Sequence, residues 1–157
     1  MAEIFRLRRS PAQIAELRDL CALWGPPAIG SERFWGFDDV LAAVTRPGCI
    51  ALIAAAHADA PWEGVAFAEA GADTADLMYV YVKAACRKSG VARALLGGLI
   101  ATLAAETTAE SLFLEVRIGN RAAQKLYESY GMQRIGARPR YYADGEDALV
   151  YRLEIAR

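Results

Sequence analysis

Two hydrophobic periodicities alternate along this 157-residue chain. In EIFRLRR (Glu3–Arg9), Ile4 and Arg6 fall on one side of an extended backbone and Phe5 and Leu7 on the other, which predicts a short strand. Ser10 is a fitting N-cap and Pro11 a fitting first helical residue. Ile14, Leu17, Cys21 and Trp24 then recur at helical spacing, so a helix is expected to run to about Trp24. GPPAIGS, with its prolines and glycines, is loop. Phe37, Val40, Leu41 and Val44 share one side of a second helix, expected over Phe37–Thr45 and stopped by Arg46-Pro47-Gly48. The pattern then becomes strand-like. CIALIAAA and EGVAFAEA are short apolar runs joined by the turn-like HADAPW, and Ala75–Val82 (ADLMYVYV) is rich in β-formers.

Helical spacing returns at Val91 and lasts to about Glu106, with Val91, Leu95, Leu99 and Leu103 on one face and Ala92, Leu96 and Ile100 beside them. SLFLEVR (Ser111–Arg117) reads as a strand. NRAAQKLYESYG reads as a helix started by Asn120 and closed by Gly131. MQRIG and DALVYRLEI end the chain as strands. The order β-α-α-β-β-β-α-β-α-β-β has a strand–helix–strand crossover in its second half, which implies a parallel pair, and antiparallel hairpins in the middle. The fold class expected is a mixed α/β sandwich. The length suits one domain over residues 1–157, without repeat or interdomain linker.

Composition narrows the function. Eighteen Lys and Arg against nineteen Asp and Glu, interspersed, leave no basic stripe, so nucleic acid is not the expected ligand. No apolar run reaches the ~18 residues of a membrane span. The first residues lack the apolar core of a signal peptide, and a cytoplasmic protein is expected. Cys21, Cys49 and Cys86 are odd in number and contain no CxxC, so neither a disulfide framework nor a metal site is expected. His57 is assigned no role.

Three features carry candidate chemistry. RKSGVA (Arg87–Ala92) lies between a strand and a helix. A helix N-terminus presents unpaired N–H groups and partial positive charge, and a glycine lets an anion approach the backbone. The segment is neither a Walker loop nor GxGxxG, and a plain capped turn with surface cations is the alternative. In SLFLEVR, Leu112, Leu114 and Val116 point one way and Phe113, Glu115 and Arg117 the other. If both faces are covered, burial pushes the Glu115 carboxyl up and suits it to general-base work. If that face meets solvent, or Glu115 pairs with Arg117, it is an ordinary surface acid. Tyr127 sits on its helix with Ala123 and Tyr130, either as core or rim, or as a hydroxyl able to donate a proton.

Together these residues resemble a known family. RKSGVA fits the turn that holds the pyrophosphate of acetyl-CoA in the GNAT N-acetyltransferases. LEVRIGNRAAQKLYESYGM followed by ARPRYYADGEDALVYRLEI is similar to the RimI-like branch, the ribosomal-protein alanine N-acetyltransferases. The likeness covers about Leu77 to Ile155, and runs through Asn120, Ala122, Ala123, Leu126, Tyr127, Gly131, Tyr141, Tyr142, Glu146, Asp147 and Ala148.

The resemblance implies a GNAT fold: a mixed, mostly antiparallel sheet of six or seven strands with a splayed parallel pair, flanked by about four helices. It implies Glu115 as general base and Tyr127 as general acid. The strand segment Val80, Tyr81 and Val82 would offer backbone groups to the acetyl carbonyl and pantetheine. The turn Arg87, Lys88, Ser89, Gly90, Val91, Ala92 and Arg93 would bind the pyrophosphate, and Asn120 would contact the CoA arm. Trp35, Arg140, Tyr141 and Tyr142 are candidate acceptor-groove residues. The implied partners are acetyl-CoA and a protein or peptide N-terminus, in a monomer or weak homodimer. The chain departs from the branch at Tyr79, at KAACRKSG, which lacks an aspartate–proline pair, and at Phe34-Trp35-Gly36, where the branch carries proline–tryptophan–serine. Two other readings stay open: acetylation of a small-molecule amine or lysine side chain, and a non-catalytic acyl-CoA sensor or partner subunit.

Overall fold

In a computed structural model, which describes residues 1–24 and 36–157, one seven-stranded sheet runs through the protein. The strands are β1 (Glu3–Arg6), β2 (Cys49–Ala55), β3 (Trp62–Ala70), β4 (Thr74–Val82), β5 (Ser111–Arg117), β6 (Gln133–Arg138) and β7 (Ala148–Glu154). The helices are α1 (Pro11–Trp24), α2 (Phe37–Val44), α3 (Val91–Glu106) and α4 (Arg121–Ser129), so the element order follows the pattern expected from periodicity. The spatial order is β1-β2-β3-β4-β5-β7-β6. Neighbours are antiparallel except β4 and β5, which are parallel.

Around β2 the sheet is covered on both faces. Ile50, Leu52 and Ala54 of β2 pack in one core with Leu95, Leu99 and Leu103 of α3 and Tyr127 of α4. Cys49, Ala51, Ile53 and Ala55 of the same strand pack in a second core with Leu17 and Leu20 of α1 and Val40 and Val44 of α2. Every residue of β2 is therefore buried, which explains its unbroken apolar run where a one-sided strand alternates.

Local signals set the element ends. Ser10 accepts from the Gln13 N–H at 3.3 Å, and Gln13 Oε1 accepts from the Arg8 N–H at 2.6 Å, so the entry to α1 is capped from both sides. β1 is shorter than expected and stops at Arg6; the Leu7 N–H still donates to the Ala51 carbonyl at 2.9 Å, and the chain turns at Arg9, with a φ of 60°. α4 is closed just past its C-cap Tyr130 by Gly131, whose φ of 81° suits a residue without Cβ, and the Met132 N–H returns to the Tyr127 carbonyl at 3.2 Å.

Two adjacent glycines in α3 weaken it as a helix but let it approach its neighbours. A Cβ at Gly98 would meet Leu52 Cδ1 at 3.1 Å and Ile4 Cγ2 at 3.2 Å, and one at Gly97 would meet the Tyr130 hydroxyl at 2.7 Å. Burial pushes the Cys21 thiol up to about 12 and the Cys49 thiol up to about 11, so both stay protonated at neutral pH. Cys86 packs at the edge of the core.

Candidate active site between two diverging strands

The parallel ladder is short. Thr74 pairs with Ser111, Ala75 with Leu112 and Asp76 with Phe113, and there it ends. Beyond that point β4 keeps its pairing to β3 as far as Val82, while β5 keeps its pairing to β7 as far as Arg117. A bulge in β4 at Met78, between the pairs Phe67–Tyr79 and Ala68–Leu77, adds twist at the parting point. The result is a cleft of about 740 Å³ with Val80 on one wall, Glu115 on the other, and Asn120, Tyr127, Tyr141 and Tyr142 around it.

The parting exposes backbone. The Lys83 N–H donates to the Glu63 carbonyl on β3 at 2.9 Å. Strand residues alternate the edge to which their amides point, so Val82 and Val80 turn theirs toward the cleft. The Val82 carbonyl accepts from Arg87 Nε at 3.2 Å, so Arg87 ties the turn after β4 to the strand.

That turn is Arg87–Gly90. Lys88 has a φ of 62° and Gly90 a φ of 89°, and Gly90 is the N-cap of α3 without any side-chain cap. The first helical bond runs from the Ala94 N–H to the Gly90 carbonyl at 2.9 Å, so the Val91–Arg93 amides lie in the first turn, where a helix has no internal acceptors. A Cβ built at Gly90 meets nothing within 4 Å; the space above the turn is open. The Ser89 hydroxyl donates to the Cys86 carbonyl at 2.5 Å. Arg93 is used within the protein: its Nη2 donates to the Ser129 hydroxyl at 3.0 Å, its guanidinium lies 5.6 Å from the Tyr130 ring centroid, and its carbonyl accepts from the Tyr130 hydroxyl at 2.6 Å.

Glu115 and Tyr127 reach the cleft from opposite faces of the sheet. Leu112, Leu114 and Val116 point into the core shared with α3 and α4, which is also Tyr127's core. Glu115, being out of phase with them, stands on the face of α1 and α2. Only where β4 and β5 separate can groups from both faces border one space. Tyr127 is buried, with its ring 6.3 Å from that of Tyr151.

The model of the acetyltransferase (GNAT) family matches residues 12–132. The chain belongs to the acetyltransferase (GNAT) family. It is 41% identical over 87 residues to the [ribosomal protein bS18]-alanine N-acetyltransferase of Escherichia coli (strain K12), a stretch covering 54% of this chain and 58% of that relative. The chain thus spans little more than half the length of that curated relative, and 20% of an uncharacterized Mycobacterium leprae protein, ML0378, to which it is 45% identical over 76 residues. The crystal structure of the ribosomal-protein-S18-alanine N-acetyltransferase from Escherichia coli superposes with a TM-score of 0.80 at 26% identity, covering 100% of this chain and 96% of that one.

Within this GNAT fold several site expectations change. Of the two alternatives for Glu115, the solvent-facing one holds: its side chain is 35% exposed and pairs with Arg138, Nε to Oε1, at 2.9 Å. Glu115 does not pair with Arg117. Arg117 Nη1 instead meets Asp144 Oδ2 at 2.9 Å and Glu146 Oε2 at 2.7 Å, with its guanidinium 4.0 Å from the Tyr142 ring centroid. The backbone N–H of Glu146 first, and then Arg117, hold the Asp144 carboxyl below its ordinary value. Asn120 Oδ1 accepts from the Ala123 N–H at 3.2 Å and so caps α4 at the cleft's edge. Tyr141 and Tyr142 line the cleft edge to face, with centroids 5.2 Å apart, whereas Arg140 is not on the cleft wall and its N–H donates to Asp147 Oδ1 at 2.8 Å. Trp35 lies outside the described residues.

Residues not singled out from sequence also border the site. Glu69 on β3 and Asp76 on β4 are directly opposed, and both line the cleft with Glu115. Asp76 remains open along one side, yet its carboxyl is raised, by desolvation first, then by Glu115 and Glu69. The tight turn at 71–74, closed by Gly71 N–H to Thr74 carbonyl at 2.8 Å, sets that register, so the sequence did carry its signal. Gln124 is buried and its Nε2 donates to the Arg117 and Ile118 carbonyls at 3.0 and 2.8 Å, which fixes α4 against the end of β5. Among the described residues, no group of three or more His, Cys, Asp or Glu is arranged to hold a metal ion, and no helix is long and apolar enough to cross a membrane.

Proposed function

We propose that the protein is an acetyl-CoA-dependent N-acetyltransferase whose acceptor is a primary amine, foremost the N-terminal α-amine of a protein, a ribosomal protein among the candidates. The observation that carries this reading is the single gap between β4 and β5, bordered by a carboxylate from one face of the sheet and a phenol from the other. The open, uncapped first turn of α3 fits a diphosphate, which backbone N–H groups and the helix dipole favour. Lys88 adds charge beside it, and Asn120 keeps its amide nitrogen for the CoA arm while its oxygen caps α4.

Each residue then has a task. An α-amine with a pKa of roughly 7.7–8.0 is mostly protonated at pH 7 and must lose a proton before it attacks. Glu115 takes that proton as the nitrogen–carbon bond forms. Backbone N–H groups of the Val80–Val82 segment, turned into the gap, stabilise the charge developing on the acetyl oxygen. As the carbon–sulfur bond breaks, Tyr127 donates its proton to the departing thiolate. No covalent bond to the protein is needed. Glu69 and Asp76 make the acceptor wall acidic, which favours a cationic amine over an acid or a neutral alcohol.

The test is acetyl-CoA consumption with an alanine-starting peptide, a polyamine and a lysine peptide. Turnover restricted to the free N-terminus supports the reading. Preference for the polyamine or the lysine moves the assignment to another amine class. Tight CoA binding without turnover on any acceptor replaces it with an acyl-CoA sensor.

A further inference from the structure

From the contacts around the β6–β7 tip we infer that Arg117 is a positioning residue for the acceptor side of the cleft: it clamps the tip that carries Tyr141 and Tyr142 to the strand that carries Glu115. The inference rests on the acetyltransferase reading above. Arg117 lies two residues from Glu115 on the same face of β5, yet it does not meet that carboxylate. It spends its guanidinium on the tip between β6 and β7, meeting Asp144 and Glu146 while lying against the Tyr142 ring. Both oxygens of Glu146 are used, because Oε1 accepts from the Gly119 N–H at 2.7 Å. A Cβ at Gly119 would come within 2.8 Å of that oxygen, so a side chain there would push the Glu146 carboxylate aside. The tip is then fixed to itself by the Tyr142 N–H to the Glu146 carbonyl at 3.1 Å.

The clamp matters because the tip is otherwise exposed, with Tyr141 half open to solvent, while it forms one rim of the cleft. Arg117 is only 14% exposed, so its charge pairs are shielded from the screening that weakens surface pairs. One nitrogen, Nη1, bridges the two carboxylates while the guanidinium lies against the Tyr142 ring, and a lysine ammonium could supply the bridge but not the planar contact with the ring. Losing it should loosen the acceptor rim and leave the turn at Gly90, which is not among the residues lining the cleft, unchanged.

Arg117→Gln tests this with two independent readouts. The expected result is a rise in acceptor KM of about 10-fold or more, with acetyl-CoA KM within about 2-fold of wild type and kcat little changed, the pattern of lost acceptor binding. Trypsin cleavage after exposed Arg140 should accelerate, reporting release of the tip without reference to activity. Arg117→Lys should recover only part of both effects. If Arg117→Gln does not accumulate as folded protein, Glu146→Gln is read the same way. Faster cleavage with unchanged acceptor KM, equal rises in both KM values, or no change in either readout each overturn the inference alone. Wild-type protein without turnover on any amine overturns it together with the acetyltransferase reading.

Discussion

Glu115→Gln separates catalysis from architecture more cleanly than any other single change. Glutamine keeps the shape and can still accept from Arg138, but it removes the negative charge and the basic oxygen. The structural loss is small. The Glu115–Arg138 pair is half exposed, with side chains 35% and 55% open, and an exposed pair of this kind contributes about 0.2–1 kcal/mol. In a domain of this size that moves Tm by no more than about 2–4 °C. The catalytic loss is much larger if Glu115 removes the amine proton: a factor of about 10² to 10⁴ in kcat, equivalent to about 3–5 kcal/mol at 1.36 kcal/mol per decade. Affinity for CoA should stay within about 2-fold, because the turn proposed to hold the diphosphate leads into α3 and not β5. The assay is steady-state acetyl-CoA consumption across pH, beside a thermal melt and CoA titration. The pH dependence of turnover should differ between the variant and wild type. A variant within about 3-fold of wild type at every pH would refute the assignment, since no base contributing so little to the barrier fits the chemistry.

Three further outcomes follow from the same geometry. Gly90→Val should weaken CoA binding by about 10-fold or more, because the side chain enters open space above the turn and must hold a left-handed φ at a cost of roughly 1–2 kcal/mol; Gly90→Asn, which tolerates that φ, separates strain from obstruction when both are titrated with CoA. Tyr127→Phe should lower kcat by about 10² with both KM values retained, and loss restricted to KM would remove the phenol from the chemistry. Asp76→Asn should raise stability at pH 7, because the folded state disfavours the Asp76 charge, by desolvation first and then by Glu115 and Glu69. The sign follows from a carboxyl raised in the folded state: its contribution is most favourable below the unfolded pKa of about 3.9 and declines as pH rises through the folded value. Melts of the two proteins should therefore converge near pH 4 and diverge toward neutrality, and a gap that stayed constant with pH would refute the electrostatic cause.

Among the described residues, periodicity, apolar runs and turn residues placed all seven strands and four helices. The crossover around α3 implied the parallel pair, the alternation in SLFLEVR put Glu115 out of phase with Leu114 and Val116, and Asn120 and Gly131 bracketed α4. These are local facts: a backbone period of two or 3.6, a capping oxygen, a glycine at positive φ.

What the tertiary structure decided lies between residues far apart in the chain. Arg138 reaches Glu115 across 23 positions, where the sequence offered Arg117 as the near partner. Arg117 turns instead to carboxylates at 144 and 146, because the β6–β7 tip folds over the end of β5. Arg93 is held by Ser129 and Tyr130, and a Cβ at Gly97 would meet that tyrosine's hydroxyl at 2.7 Å. The cleft itself belongs to this second class. Each of its walls is a strand legible in isolation, but the gap exists only because β4 stays with β3 and β5 stays with β7 after three shared residue pairs. A strand's own pattern fixes which way its side chains point; the distance to the next strand is set by what packs on either side of both.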